Sequence, residues 1–407
     1  MLVTLIPLFD EEMSVRAYSL FTQKKNTLLN PSLQGTRQHD GAVDIPGLEV
    51  LESMGIETIP SDKEIFVEIN NISLFTDIET QAPAPHKRLV LLMDHTILPE
   101  KIYVDRLREL KSKGFKLAIR KLTVQDFEPY REVLLLVDYV LLDYKKIDIS
   151  KAKIYFSNIY PNVSLCAGNV PNQEIYGNLK KEGGYKLYEG DFYQIPVTQG
   201  VNEVAPLKVN YIELLNMVND ADFDLTKAAD IIGRDTALVI SLLKMVNRMS
   251  VNSEITSIRH AAAMLGQREL KKWINTAVAN KLYADKPNEV TRLSLLRAKF
   301  AENLAPAFEM SMNTSELFLM GLFSVLDLIL NQTMEDALKM VKVSKEISDA
   351  LIDHKGVLAP VLEFITQYER ANWQEVFRLM IINNMEMDQV FDAYIQSLQW
   401  YRAMFSE

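Results

Sequence analysis

Cysteine is almost absent: Cys166 is the single thiol in 407 residues, which rules out a disulfide within the chain. Set inside an apolar run, it is expected to be a buried packing residue in a reducing cytoplasm. Long apolar runs are absent as well, since nothing approaches the ~20 residues a helix needs to cross a bilayer, and membrane insertion is not expected. The opening Met1–Phe9 is apolar but has no basic leader and runs straight into Asp10-Glu11-Glu12, which predicts a first strand and not a signal peptide. Basic residues are in the minority, 44 against 54 acidic, for a formal net charge of −10. That balance argues against a nucleic-acid-tracking surface, though not against one small anion pocket. No glycine-rich turn follows the early strand-like runs, so neither a dinucleotide fingerprint nor a P-loop is present. The five histidines, His39, His86, His95, His260 and His354, show no paired spacing suited to metal ligation.

What the chain does contain changes character near residue 200. Before it, β-type runs alternate with helical patterns: Glu64–Ile69, Leu89–Asp94, Phe115–Ile119, Val137–Asp143 and Val163–Ala167. Such continuous apolar runs suit a parallel sheet buried on both faces. Between two of them Pro99 opens a helix, Val104, Leu107 and Leu110 form its apolar stripe, and Gly114 ends it. This is a βαβ unit, and several in series predict a doubly wound sheet or a (β/α) barrel. After Gly200–Pro206, which reads as a linker, nearly everything has helical periodicity. The expected organisation is α/β then all-α, with domains at 1–200 and 201–407. Gln34–Gly41 reads as an exposed loop.

The succession of Gly114–Lys121, Asp138–Asp143, Leu165–Val170 and Leu187–Phe192 resembles the EAL-type cyclic di-GMP phosphodiesterase domain. The resemblance implies a modified barrel with acidic metal ligands at its strand ends. About 200 residues is short for eight βα units, so an incomplete barrel with an uncovered strand edge is also compatible with the length. Several positions depart from what the resemblance implies. Ser19, within Tyr18-Ser19-Leu20, stands for the signature glutamate; Glu68 for a ligand asparagine; Asp94 for a further glutamate. Arg120 and Lys121 stand for the aspartate pair, Leu141 for the active-site lysine, Gly168 for the following glutamate and Glu189 for a late glutamine. Two cations where a metal pair needs anionic oxygens oppose metal entry. Glu68, Asp94, Asp143 and Glu189 are expected around the same barrel mouth, either paired with Arg120 and Lys121 or leaving those cations to bind an anion.

In the second half, Asp224 is expected to cap a helix whose inward face carries Leu225, Ala228, Ala229 and Ile232. Leu242–Asn247 followed by Ile255–Gly266 is similar to the HDOD domain, an all-helical relative of HD-type metal phosphohydrolases that serves in signalling. The catalytic relatives' adjacent His and Asp correspond to Ser324 and Val325, so this site too reads as degenerate. Methionines at helical spacing, among them Met217, Met245, Met249, Met264, Met310, Met312, Met320, Met340 and Met380, are expected mostly in the core. The aromatic final stretch, residues 388–405, is expected to close the bundle or to pack against a partner or the first domain.

The two resemblances together imply a bacterial EAL plus HDOD signalling protein whose barrel has lost its catalyst. The expected function is a non-catalytic scaffold for other signalling proteins, with self-association, no metal and no cofactor. One alternative is a metal-independent sensor holding cyclic di-GMP or another anionic nucleotide on Arg120 and Lys121. The other is a residual phosphodiesterase.

Overall fold

The structure is a computed structural model that describes residues 1–24, 45–194, 206–220, 222–233, 236–249, 255, 257–282, 288–341 and 343–405. The loop expected at Gln34–Gly41, the linker residues 200–205 and the 200/201 boundary lie outside the described residues.

Each apolar run becomes a strand within a few residues of its expected bounds. In chain order the strands are β1 (Leu2–Phe9), β2 (Val15–Gln23), β3 (Glu64–Glu68), β4 (Leu89–Met93), β5 (Lys116–Arg120), β6 (Tyr139–Asp143), β7 (Ser164–Val170) and β8 (Leu187–Gly190). They close into one barrel in sequence order, so the eight strands that the length left in doubt are all present. Strands β2 to β8 run parallel. By contrast β1 is antiparallel to both of its neighbours and meets β8 only at Phe9 and Tyr188. A tight turn at Asp10–Ser14 links β1 to β2, which a crossover connection would not permit.

The barrel interior is a packed core of Leu8, Ala17, Phe66, Val90, Leu92, Ala118, Tyr139, Leu141, Cys166 and Leu187. The helix expected after Pro99 spans Lys101–Ser112 and buries Val104, Leu107 and Leu110, the stripe that its spacing indicates. Cys166 is fully buried, and desolvation pushes its thiol pKa well up, as expected of an inert packing thiol.

Because β1 touches β8 at a single pair, most of its outer edge needs other cover. That cover comes from the C-terminal helices. The Tyr368 hydroxyl accepts from Val3 N–H at 3.2 Å and the Tyr394 hydroxyl from Leu5 N–H at 3.3 Å. Tyr368 lies among Phe300, Phe364, Trp373 and Tyr394, with ring centroids 5.1 to 6.0 Å away. The compact unit holding the barrel accordingly comprises Met1–Ile195, Lys299–Thr314 and Val361–Glu407. Its last two segments lie in the stretch that the sequence groups into one helical domain. Of the packing options for the aromatic terminus, docking on the barrel is the one adopted.

The second compact unit comprises Pro196–Ala298 and Ser315–Pro360, and its described residues contain helices and no strand. Asp224 accepts from Thr226 N–H at the start of Leu225–Ile232, and Ala228, Ala229 and Ile232 are buried. The Asn247 amide bonds both the N–H and the C=O of Ile255, which fixes the chain returning from Thr236–Met249. Helix Ile258–Leu282 breaks at Gly266, whose φ of 73° lies in the left-handed region. The methionines correct an expectation: of the nine named, only Met320 and Met380 are buried, while Met217, Met249, Met264 and Met312 are exposed. Helical spacing places a side chain on a face without saying whether that face is inner or outer.

Candidate ligand site at the barrel mouth

Alternation along the parallel strands aims every second side chain into the barrel. One layer beyond the apolar core, that pattern places Glu68, Arg120, Asp143, Gly168 and Glu189 at the carboxyl ends of their strands, with Asp94 just past β4. The carboxyl end is where ligand sites of such barrels assemble.

The charges there are partnered. The Arg120 guanidinium pairs through Nη2 with Glu68 Oε1 and lies over the Phe21 ring at 4.6 Å. Lys121 Nζ stands 3.5 Å from Asp94 Oδ2. The other Asp94 oxygen accepts from Thr96 N–H at 3.0 Å and from its hydroxyl at 2.7 Å. Asp94 is almost fully buried, and this ion pair with two hydrogen bonds compensates its desolvation. Lys121 itself adopts φ 65°, a left-handed conformation that is costly for a branched or long side chain.

The other two carboxylates are arranged differently. Asp143 pairs with Lys146 at 3.8 Å and accepts from Lys145 N–H at 3.0 Å. Glu189 has no hydrogen bond or ion pair to a described residue. Desolvation raises its carboxyl pKa, the Arg120 charge opposes that rise, and Asp143 and Asp191 add to it. Gly190 follows with φ 150°, and a Cβ there would stand 2.2 Å from the Val170 carbonyl oxygen. Only glycine lets β8 approach β7 so closely.

Three further positions complete the mouth. Leu141 belongs to the apolar core. Gly168 pairs in register with Asp143 and contributes no side chain. Ser19 is fully buried on β2, and its hydroxyl has no hydrogen-bond partner among the described residues.

A two-metal site needs several carboxylate oxygens converging on cations about 3.5–4 Å apart. Here Glu68 is held by Arg120, Asp94 by Lys121 and Thr96, and Asp143 by Lys146. Among the described residues no three His, Cys, Asp or Glu side chains form a group able to hold a metal ion. The described residues at the mouth do not fit a divalent metal pair. Phe21, Thr96 and Lys146 complete these contacts and carry no sequence signal, because each is named only by what lies across the barrel or one turn away.

In the helical unit, the Ser324 hydroxyl donates to the Gly321 carbonyl at 2.7 Å and accepts from Arg297 Nη1 at 3.2 Å. Val325 is buried. Asp327 accepts from Leu328 N–H, and burial raises its carboxyl pKa, with the Arg297 charge opposing. The buried arginine behind Ser324 is another feature that local sequence does not announce. His260 is exposed.

No helix of the described residues is long and apolar enough to cross a membrane. Two curated relatives match over most of their length. YuxH of Bacillus subtilis, an uncharacterized protein, is 24% identical over 404 residues, covering 97% of this chain and 96% of that protein. CdgJ of Vibrio cholerae, named as a cyclic di-GMP phosphodiesterase, is 26% identical over 338 residues, covering 78% of this chain and 77% of that protein. Among solved structures, the Bacillus subtilis YkuI protein with an EAL domain, in complex with cyclic di-GMP and calcium, shares 14% identity at a TM-score of 0.38. It covers 65% of this chain and 71% of its own. The EAL-like domain protein YdiV shares 13% identity at a TM-score of 0.36, covering 46% of this chain and 88% of its own. Residues 204–358 match the HDOD domain, and the chain therefore carries an HDOD domain behind a closed eight-stranded barrel.

Proposed function

We propose that this chain is a non-catalytic signalling protein of the bacterial cytoplasm that acts by binding other proteins, its barrel being a phosphodiesterase scaffold without its catalyst. The observation that carries this reading is the Arg120–Glu68 pair, backed by Lys121–Asp94. Charge balance that a metal pair would supply is supplied by side chains, so the mouth holds together without a metal ion. The relation to CdgJ, which is named as a cyclic di-GMP phosphodiesterase, supports the ancestry of the barrel. The degenerate pair Ser324 and Val325 supports the same conclusion for the HDOD domain, because neither a hydroxyl engaged by Arg297 nor a buried valine offers a metal a ligand.

Arg120→Ala tests the proposal against the sensor alternative. The substitution leaves Glu68 without its partner, but that carboxylate's side chain is 34% exposed. The expected loss is therefore below that of a fully buried pair, about 1–3 kcal/mol. Denaturation followed with and without cyclic di-GMP separates the readings, since a ligand of the native state raises its stability. A structural pair predicts a destabilised variant with no nucleotide response in either protein. A sensor predicts that cyclic di-GMP stabilises the wild type and no longer does so in Arg120→Ala.

A further inference from the structure

The helical unit contains a cavity of about 310 Å³, at the lower end of the range of about 300–1,000 Å³ typical of small-molecule sites. Its wall is built by the part of helix Ile258–Leu282 that restarts after the Gly266 break. Gln267, Lys271 and Asn275 recur every four residues, and Arg268 and Lys272 form the adjacent row, so all five share one side of the helix. All five line the cavity.

Three of these side chains are cations. Lys271 donates to the Asp220 carbonyl oxygen at 3.3 Å and lies over the Phe223 ring at 4.9 Å. It forms no ion pair with a carboxylate among the described residues. Desolvation depresses its pKa, with the Asp220 charge working the other way. This is an ammonium held partly out of water with no carboxylate paired to it among the described residues. Lys272 and Arg268 share one carboxylate, Glu269, at 3.8 and 3.4 Å. Arg268 is at the exposed rim, its side chain 68% accessible, whereas that of Lys272 is only 18% accessible.

Beside the cations the lining is polar and neutral. The amides of Asn219 and Asn275 bond each other reciprocally at 3.0 and 3.1 Å. Each carboxamide retains a second N–H and a second lone pair. Phe318, nearly buried, closes the floor.

We propose that this cavity binds a compact phosphate-bearing metabolite of the size of one nucleoside monophosphate. The phosphate would lie against Lys271, Lys272 and Arg268, and the remainder of the ligand against the Asn219–Asn275 amides. Point-charge ammoniums and a forked guanidinium are the donors phosphate recognition uses. The cavity's volume suits one nucleotide, and its lining residues belong to the helical unit and not to the barrel mouth.

The test is calorimetric titration of the full chain with GMP, AMP and inorganic pyrophosphate, using wild type, Lys271→Met and Arg268→Gln. Methionine keeps an unbranched stem over Phe223 while deleting the charge, and Arg268 is exposed enough for its replacement to leave folding intact. The expected result is saturable binding of at least one probe, weakened about tenfold or more by each substitution, the scale of a lost charged hydrogen bond. Absence of saturable binding at millimolar concentration of all three probes would overturn the proposal. Equal affinity in both variants and the wild type would do so as well.

Discussion

Tyr368→Ala is expected to lower the stability of the barrel unit by about 3–5 kcal/mol, the range for truncating a large buried aromatic. Tyr368 is fully buried, and four aromatic rings surround it. Its hydroxyl also accepts the Val3 N–H, a donor on the edge of β1 that has no strand beside it. Orphaning that buried donor adds about 1–3 kcal/mol. Tyr368→Phe isolates this second contribution, since it keeps the ring and removes the acceptor. Urea denaturation of the three proteins measures both. An alanine variant within about 0.5 kcal/mol of wild type, a margin typical of surface positions, would mean that the C-terminal helices do not hold the β1 edge. By the same reasoning, a fragment ending near residue 200 would expose that edge and the apolar face of β1.

Gly321→Ala is expected to have the second large effect, in the helical unit. A Cβ at this position would stand 2.5 Å from Ala298 N, Arg297 C and Arg297 O. All three are backbone atoms of helix Asn288–Leu304, so no rotamer change relieves the contact. The two helices must separate, at a cost at or above the upper end of the ~1–3 kcal/mol typical of overpacking. Separation would also stretch the Ser294 bond to the Leu322 carbonyl and the Arg297 bond to Ser324. Thermal or chemical denaturation reads the effect; a shift indistinguishable from zero would contradict the close approach of these helices.

Much of the barrel was legible because its strands are buried on both faces and read as uninterrupted apolar runs. The helix over Lys101–Ser112 was legible for a different reason, its three buried residues recurring at helical spacing between a proline and a glycine. The antiparallel direction of β1 was not, since a strand's composition does not record which way its neighbour runs. Nor was the docking of Tyr368 and Tyr394, because contacts spanning more than 360 residues leave no local pattern. At the mouth, the sequence names two cations and four carboxylates. It does not say that Glu68 takes Arg120, that Asp94 takes Lys121, that Asp143 turns to Lys146, or that Glu189 takes none among the described residues. Those choices depend on which strands are neighbours and on the turn after each. The cavity beside Lys271 went unread for a related reason. Its signal, Gln-Arg-Glu-Leu-Lys-Lys directly after a helix-breaking glycine, is an ordinary solvated helix face unless Asn219 and Phe318 are known to lie opposite.

The most direct test of the account is incubation of the full chain with cyclic di-GMP and Mg²⁺ or Mn²⁺, followed by chromatography for the linear dinucleotide. The account predicts no product above the protein-free control with either metal. Steady formation of linear product above that control would contradict it, because a working metal site would then coexist with the ion pairs at the barrel mouth.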